Sequence, residues 1–228
     1  MNKGHPPSST AAAFTYAQIE QAAQDVGLIV MGALHPRLTD AKQLDGGTLI
    51  LLGAGAAFWP ALKSSPEWHG KDPVDRWSSR VVGQMAQDLS AKAYFPFGGP
   101  PYAPFIDWAL KSGRTFSSPV GALVHDQVGM MISFRGALHF SSEFPIPAPP
   151  GAAPCDTCEA PCTQTCPVGA LNSREFYDVK ACHAHLSTAE GQTCMTGGCL
   201  VRLSCPLSAG AERDPEQSAH HMKAFHPS

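Results

Sequence analysis

The chain has no cysteine in its first 154 residues, and all eight of its cysteines lie between residues 155 and 205. Disulfide frameworks usually staple the whole of a small secreted domain, so this confinement argues against one. Cysteines concentrated in one short segment are more typical of metal binding. The distribution therefore predicts a metal-binding segment that follows a cysteine-free domain.

Charge and long apolar runs are also scarce. Charged residues make up 15% of the chain and the net charge is −3, so no basic excess favours nucleic acid or an anionic membrane surface. Glycine and proline break the apolar runs well short of a membrane span, and the stretch MNKGHPPSSTAAAF lacks the apolar core of a secretory signal. These absences predict a soluble cytoplasmic protein that binds neither nucleic acid nor a membrane.

Composition divides the chain into four segments. Residues 1–13 are predicted to be a disordered N-terminus, residues 14–150 an α/β domain, residues 151–207 a small cysteine-rich domain, and residues 208–228 a C-terminal tail. The proline-rich stretch SSEFPIPAPPGAAP connects the two domains.

Periodicity predicts the first elements of the α/β domain. The pattern indicates a helix with Thr15 as its N-cap, buried strands over residues 28–34 and 48–54, and an amphipathic helix over residues 72–93 with Asp72 as its N-cap. The intervening GAGAAFWPAL contains a Gly-x-Gly but lacks the third glycine of a dinucleotide-binding fingerprint. We therefore expect a strand end that turns into a short helix there.

The second half of this domain begins with an aromatic, proline-rich stretch, YFPFGGPPYAPF, over residues 94–105. Proline fixes φ and removes hydrogen-bond donors, so this stretch is predicted to be a loop that either packs beneath the domain or lines a site. A short helix that ends at Gly113 should follow. The stretches GALVHD and GMMISFRGALHF are predicted to be the two strands of a hairpin around Asp126 and Gln127.

The stretch CDTCEAPCTQTCPVGAL, residues 155–171, resembles a ferredoxin motif with one residue too many. The ferredoxin run is C-x2-C-x2-C-x3-C-P, and its fourth cysteine binds the other cluster of a two-cluster protein. Here three residues, Glu159-Ala160-Pro161, separate Cys158 from Cys162. We expect this insertion to bulge the loop while Cys162 still reaches the first cluster.

Crossed ligation of this kind divides the eight cysteines into two sets of four. A second run, Cys194-x4-Cys199-x5-Cys205-Pro206, supplies three more ligands, and Cys182 completes the count. The first set is Cys155, Cys158, Cys162 and Cys205. The second set is Cys166, Cys182, Cys194 and Cys199. Eight thiolates are the number that two [4Fe–4S] clusters need, and these cysteines are the predicted metal ligands.

Two alternatives to this assignment stay open at the level of sequence. Two structural zinc sites would also need about eight ligands, although the two Cys-Pro endings have no zinc rationale. His183 and His185 flank Cys182 and could replace a ligand, but the cysteines already suffice. The remaining histidines near the C-terminus are expected to be solvated: His220, His221 and His226.

The cysteine pattern, followed by ACHAHL and a run that ends in Cys-Pro, resembles the dicluster segment of epoxyqueuosine reductases and reductive dehalogenases. The stretch DWALKSGRTFSSPVGALVHDQVGMMISFRGAL is similar to the preceding domain of the same reductases. DPVDRW and FPFGGPPY resemble segments of small bacterial ferredoxin-like proteins. The resemblance covers about residues 48–206.

The resemblance implies an α+β fold. An antiparallel-sheet domain like that of nitroreductases and of the cobalamin-processing protein would precede a ferredoxin-like helical domain with two [4Fe–4S] clusters. In the reductases a cobalamin lies between the two domains. The chain departs from them where an acidic proton donor is expected, because ungapped counting reaches Gly98 or Gly99. The C-terminal helical repeats of those reductases, which help to bind tRNA, are also missing.

Three functions follow from these observations. The leading hypothesis is a ferredoxin-like electron-transfer protein that serves a redox partner protein. The second is an oxidoreductase that uses cobalamin or flavin, with candidate polar groups that would otherwise be hairpin surface residues: His125, Asp126, Arg135 and His139. In the third, the clusters act as structural staples for a segment with few large apolar residues.

Overall fold

The computed structural model describes residues 14–37, 44, 46–174 and 177–227. The predicted disordered N-terminus, residues 1–13, lies outside the described residues. The architecture is α+β, with small antiparallel sheets and several helices, as the sequence predicts. None of the helices in the described part of the chain has both the length and the apolar character needed to span a bilayer.

The main sheet is antiparallel and has four strands in the order β1-β2-β6-β3. Its strands are β1 (Leu28–Leu34), β2 (Thr48–Ala54), β3 (Lys92–Tyr94) and β6 (Phe134–Phe140). The ranges of β1 and β2 match the predicted strands. β3 was not predicted, and it occupies the end of the stretch assigned to the long helix.

Helices cover both faces of this sheet. The helices in the first half of the chain are α1 (Tyr16–Asp25), α2 (Phe58–Lys63), α3 (Pro73–Asp88) and α4 (Phe105–Lys111). Ile50 and Leu52 of β2 pack among residues of α1, α2 and α3, whereas Leu49 and Leu51 pack with Trp108 of α4. Alternate residues of a strand point to opposite faces, so a strand that is covered twice reads as an unbroken apolar run.

The helix boundaries follow local signals to different degrees. Thr15 caps α1 through a capping box with Gln18, and Gly27 follows the helix at φ 83°. Asp72 stands at the N-cap position of α3, but its side chain makes no capping hydrogen bond, and its φ is 47°. Asp72 is therefore the N-cap residue, as predicted, but it does not cap the helix through its side chain. The short helix predicted after β2 is present as α2.

The predicted hairpin around Asp126 and Gln127 is present only as a tight turn, in which His125 and Gly129 form one antiparallel bridge. The predicted pairing of the two strands with each other is wrong. Strand β5 (Leu123–His125) pairs with β4 (Thr115–Ser117) in a separate two-stranded sheet, and β6 pairs with β2 and β3. Three residues at the start of the second predicted strand have carbonyls that accept hydrogen bonds from arginine side chains instead: Met130, Met131 and Ile132. Side chains from the C-terminal region thus take the place of a strand partner.

The cysteine-rich region consists of short helices. It contains 3-10 turns at Pro154–Thr157, Pro161–Thr163 and Pro206–Ala211, and helices α5 (Val179–Leu186), α6 (Gln192–Gly197) and α7 (Leu200–Leu203). The predicted tail forms helix α8 (Pro215–Phe225), which packs against α6 and, through Glu216, accepts a hydrogen bond from Trp59 Nε1 at 3.1 Å.

The histidines near the C-terminus are not simply solvated. His221 Nε2 is buried, the His220 ring lies 5.3 Å from that of Trp59, and His226 Nδ1 lies 2.6 Å from His183 Nδ1. Their predicted exposure is therefore wrong. α8 turns them inward against both domains.

Candidate metal centre and adjoining cavity

The first set of cysteines lies close together. Burial raises the pKa of the Cys155 thiol, and the nearby thiols of Cys158, Cys162 and Cys205 raise it further. Burial also raises the pKa of Cys162, with Cys205 and Cys158 as its charged neighbours. Mutual repulsion of this kind operates only between groups that are near one another. The four residues therefore share one site, although they span fifty positions of the sequence.

The second set lies together as well. Burial raises the pKa of the Cys194 thiol, and repulsion from Cys199, Cys182 and Cys166 adds to this. Burial and the same neighbours, Cys199 and Cys166, raise the pKa of Cys182. The crossed assignment places these same cysteines in one ligand set, and that assignment stays a prediction. That these thiols bind iron stays a prediction.

The inserted residue of the first run is absorbed by one left-handed residue. Ala160 has φ 51°, and the 3-10 turn Pro161–Thr163 begins directly after it. This turn returns Cys162 to Cys158, and the Ala160 N–H donates a hydrogen bond to Cys158 Sγ at 3.4 Å. The predicted bulge between Cys158 and Cys162 is thus a single backbone reversal.

Polar hydrogens are already directed at the second set. The Leu200 backbone N–H bonds to Cys194, which counteracts the effect of burial on the pKa of that thiol. The Tyr177 hydroxyl bonds to the Cys182 thiol. Burial, followed by this contact, raises the pKa of Tyr177. Such donors stabilise negative charge on sulfur.

Apolar side chains surround the cysteines. Val120, Val124, Met130 and Val201 form a buried cluster that includes cysteines of both sets. The second set also borders a cavity of about 260 Å³. Among the described residues, no group of three or more His, Cys, Asp or Glu side chains is arranged so that it could hold a metal ion. His185 lines the cavity of the second set. His183 instead lies beside His226, with 2.6 Å between their Nδ1 atoms.

A larger cavity, of about 670 Å³, adjoins the second set. Part of its apolar wall comes from the proline-rich loop, through Pro96, Phe97 and Phe105. Other apolar residues of the wall are Ile106, Ile132 and Phe134. Its charged lining is formed by Asp75, Asp107, Arg135, Arg202 and Arg213, with His221 beside them. Arg202 and His221 line both cavities. The loop therefore lines a cavity, and whether this cavity is a binding site stays a prediction.

The four polar groups predicted for a cofactor site do not form one cluster, although His125 Nδ1 lies 3.1 Å from Asp126 Oδ1. Arg135 lines the large cavity. His125 is fully buried, with Nε2 3.0 Å from Met31 O, and burial lowers its pKa to about 4. Asp126 accepts two hydrogen bonds from Arg114, and His139 Nε2 lies 3.0 Å from Gly46 O. These three groups maintain the fold.

Several residues of the cavity were not predicted. Arg202 belongs to the second cysteine run, and Arg213 and His221 belong to the predicted C-terminal tail. They reach the cavity because α7 and α8 pack beside the sheet. Asp75 of α3 faces Arg135 in the same cavity, and burial raises its pKa. No local sequence pattern predicts that these distant residues lie together.

Comparisons with known proteins add no family. No family model matches the chain, and no curated protein is significantly similar to it.

Proposed function

We propose that the chain is a ferredoxin-like electron-transfer protein that carries two [4Fe–4S] clusters. The observation that supports this most is the division of eight cysteines into two spatial sets of four. Each set draws residues from both runs, as crossed ligation requires. A cluster bound to each set would accept and donate single electrons.

The chain's own residues suit this role. Four thiols in each set match the donor number of a cubane cluster, and the buried apolar surroundings limit access of water. Backbone N–H groups of Ala160 and Leu200 and the hydroxyl of Tyr177 would stabilise the added negative charge.

The two Cys-Pro endings favour a cluster over zinc, because crossed ligation in two-cluster ferredoxins explains them and zinc binding does not. Four sulfurs around one zinc at about 2.3 Å would lie about 3.8 Å from one another. In a four-iron cluster each thiolate binds a different iron, so the sulfurs stand farther apart. Sulfur separations measured in the metal-loaded protein would therefore distinguish the two.

The same proposal includes a more specific fold for each part of the chain. We propose that the main sheet with α1 to α4 is a nitroreductase-like or cobalamin-processing-like domain, and that the cysteine-rich helices form the ferredoxin-like domain. The antiparallel sheet, which helices cover on both faces, supports the first part. The protein would act in the cytoplasm, where thiols stay reduced, and would serve a redox partner protein.

Protein purified without oxygen is expected to contain about eight iron and eight sulfide ions per chain. Visible absorption should bleach with dithionite, and the reduced sample should give an EPR signal of [4Fe–4S] clusters. Fewer than about six irons, or stoichiometric zinc, would contradict the proposal. Clusters that dithionite cannot reduce would instead favour a structural role.

A second candidate function is a reductase that holds cobalamin or flavin. It is favoured by the 670 Å³ cavity, whose aromatic loop and buried cations lie beside the second cysteine set. Asp75 and Asp107 place carboxylates in this cavity, although the acid expected near Gly98 is absent. In such an enzyme the cofactor supplies the chemistry and the protein orients it.

Titration of the anaerobic protein with cobalamin and with FMN separates the two candidates. For the second function, one of them should bind at micromolar concentration and change its absorption spectrum when dithionite is added. Riboflavin, which lacks the phosphate of FMN, is the matched control. Absence of binding by both cofactors would leave electron transfer as the function.

A further inference from the structure

Three arginines converge on the large cavity from distant parts of the chain. Arg135 comes from β6, Arg202 from α7, and Arg213 from the segment before α8. Burial lowers the pKa of Arg213 to about 9, and the positive charges of Arg202 and Arg135 lower it further. All three therefore remain cationic at neutral pH while they repel one another.

The ion pair that Asp75 forms with Arg135 leaves buried N–H groups of Arg135 without a hydrogen bond. Arg135 Nε and Nη1 are buried and have no hydrogen-bond partner among the described residues. The carboxylate of Asp75 lies 3.9 Å from Arg135 Nη1, which is beyond hydrogen-bond distance, and half of the Asp75 side chain faces solvent. Asp107 also lines the cavity and is engaged in an interaction of its own.

The backbone directs Arg135 into the cavity. Gly136 of β6 pairs with Leu52, whereas Phe134 pairs with the next residue, Gly53, so Arg135 is the extra residue of a β-bulge. Bulges re-aim a side chain out of the regular alternation of a strand and are common beside functional sites. The Arg135 guanidinium carbon lies 5.9 Å from the Phe58 ring centre, which gives a weak attraction but no hydrogen bond.

Arg202 and Arg213 are held in place by the loop before β6. Arg202 donates to the carbonyls of Met130 and Ile132 at 2.7 and 3.0 Å, and Arg213 donates to Met131 O at 2.6 Å. These bonds use only some of the five N–H groups of each guanidinium. His221 Nε2 is also buried without a partner, and burial followed by repulsion from Arg213 lowers the His221 pKa to about 3.

We propose that this cavity binds an organic oxyanion, with a carboxylate or phosphate held by Arg135, Arg202 and Arg213 and an apolar body against Phe97, Phe105 and Ile106. An oxyanion supplies the acceptors that the buried guanidinium groups lack. The volume of about 670 Å³ lies in the range of small-molecule sites. His221, neutral at pH 7, offers one further hydrogen bond.

The occupant would lie next to the second cysteine set, because Arg202 and His221 line both cavities. A role of this occupant as electron acceptor rests on the proposed function. Binding of the oxyanion is independent of the proposed function, since no cysteine lines the large cavity.

Calorimetric titration of the anaerobic protein in Tris chloride tests the proposal. Phenyl phosphate and benzoate are the organic probes, inorganic phosphate tests the head group alone, and benzyl alcohol is the neutral control. We expect at least one organic anion to bind at least about tenfold more tightly than benzyl alcohol. Phenyl phosphate against benzoate distinguishes the two head groups.

Arg135→Met separates binding from structure. It should weaken the organic anion at least about tenfold, because charge-assisted hydrogen bonds are lost. It should also leave unchanged or raise the melting temperature of the ligand-free protein, because buried N–H groups without hydrogen-bond partners are removed. Arg76→Gln, on an exposed arginine of α3 outside the cavity, is the control and should bind as wild type.

Two results would overturn the proposal. They are organic anions that bind no better than benzyl alcohol, and an Arg135→Met protein that binds like wild type, whatever its stability. Arg135→Lys serves if the methionine variant does not fold, and it should weaken binding because it lacks the planar fork. Iron content and the EPR spectrum of each sample report separately on the proposed clusters.

Discussion

Replacement of Cys182 with alanine is expected to remove one of two clusters, which leaves about four of about eight irons per chain. The reason is that the four thiols of its set lie together, so three remaining ligands hold a cubane cluster poorly. Cys155→Ala should remove the other cluster by the same reasoning. Iron analysis and EPR of the dithionite-reduced proteins measure the loss and identify which signal disappears.

Cys166 and Cys205 serve as controls for this experiment, because each is predicted to bind the cluster of the other cysteine run. Cys166→Ala should lose the same signal as Cys182→Ala, although Cys166 belongs to the first run of the sequence. Cys205→Ala should behave like Cys155→Ala. A Cys166→Ala protein that loses the signal missing from Cys155→Ala would refute the crossed division, and so would complete loss of iron in every variant.

Gly129→Ala is expected to destabilise the protein by about 3 kcal/mol or more, because it pushes apart two chain segments that pack closely at Gly129. Gly129 has φ 55°, and a Cβ atom there would overlap the backbone nitrogen of Ser208 and lie 2.7 Å from the carbonyl carbon of Leu207. Backbone atoms cannot move aside as a flexible side chain can. Ser208 would lose its contact with Met130, whose N–H donates to Ser208 Oγ at 3.1 Å.

Gly121→Ala is the matched control for Gly129→Ala. Gly121 has φ 75°, so alanine meets a similar backbone strain of about 1–2 kcal/mol, but no atom lies within 4 Å of its Cβ position. Unfolding midpoints of the two variants, measured side by side without oxygen, isolate the cost of the clash. Equal losses of stability in both would show that the domain contact at Gly129 contributes little.

The parts predicted from sequence are those that local chemistry determines. The capping residue Thr15, the strands β1 and β2, and the short helix after β2 follow from side-chain spacing over a few residues. The division of the cysteines into two ligand sets also follows from spacing, through the crossed ferredoxin pattern, and it stays a prediction.

The parts that were missed depend on contacts between distant segments. The stretches on either side of Gln127 alternate like a hairpin, yet the carbonyls of Met130 to Ile132 accept hydrogen bonds from arginines about seventy or eighty residues away. Strand β3 is only three residues long and pairs with β6 at the end of a helical pattern. Neither outcome can be read from a window of neighbouring residues.

Arg202 forms a shared wall, since its guanidinium borders the large cavity on one side and is attracted to Cys199 on the other. Thermodynamic linkage makes any interaction across such a wall reciprocal. If both proposals hold, an anion bound in the cavity makes addition of an electron on the cysteine side less favourable. Reduction then weakens the hold on the anion by the same factor, so the redox state of the protein would set the lifetime of its ligand.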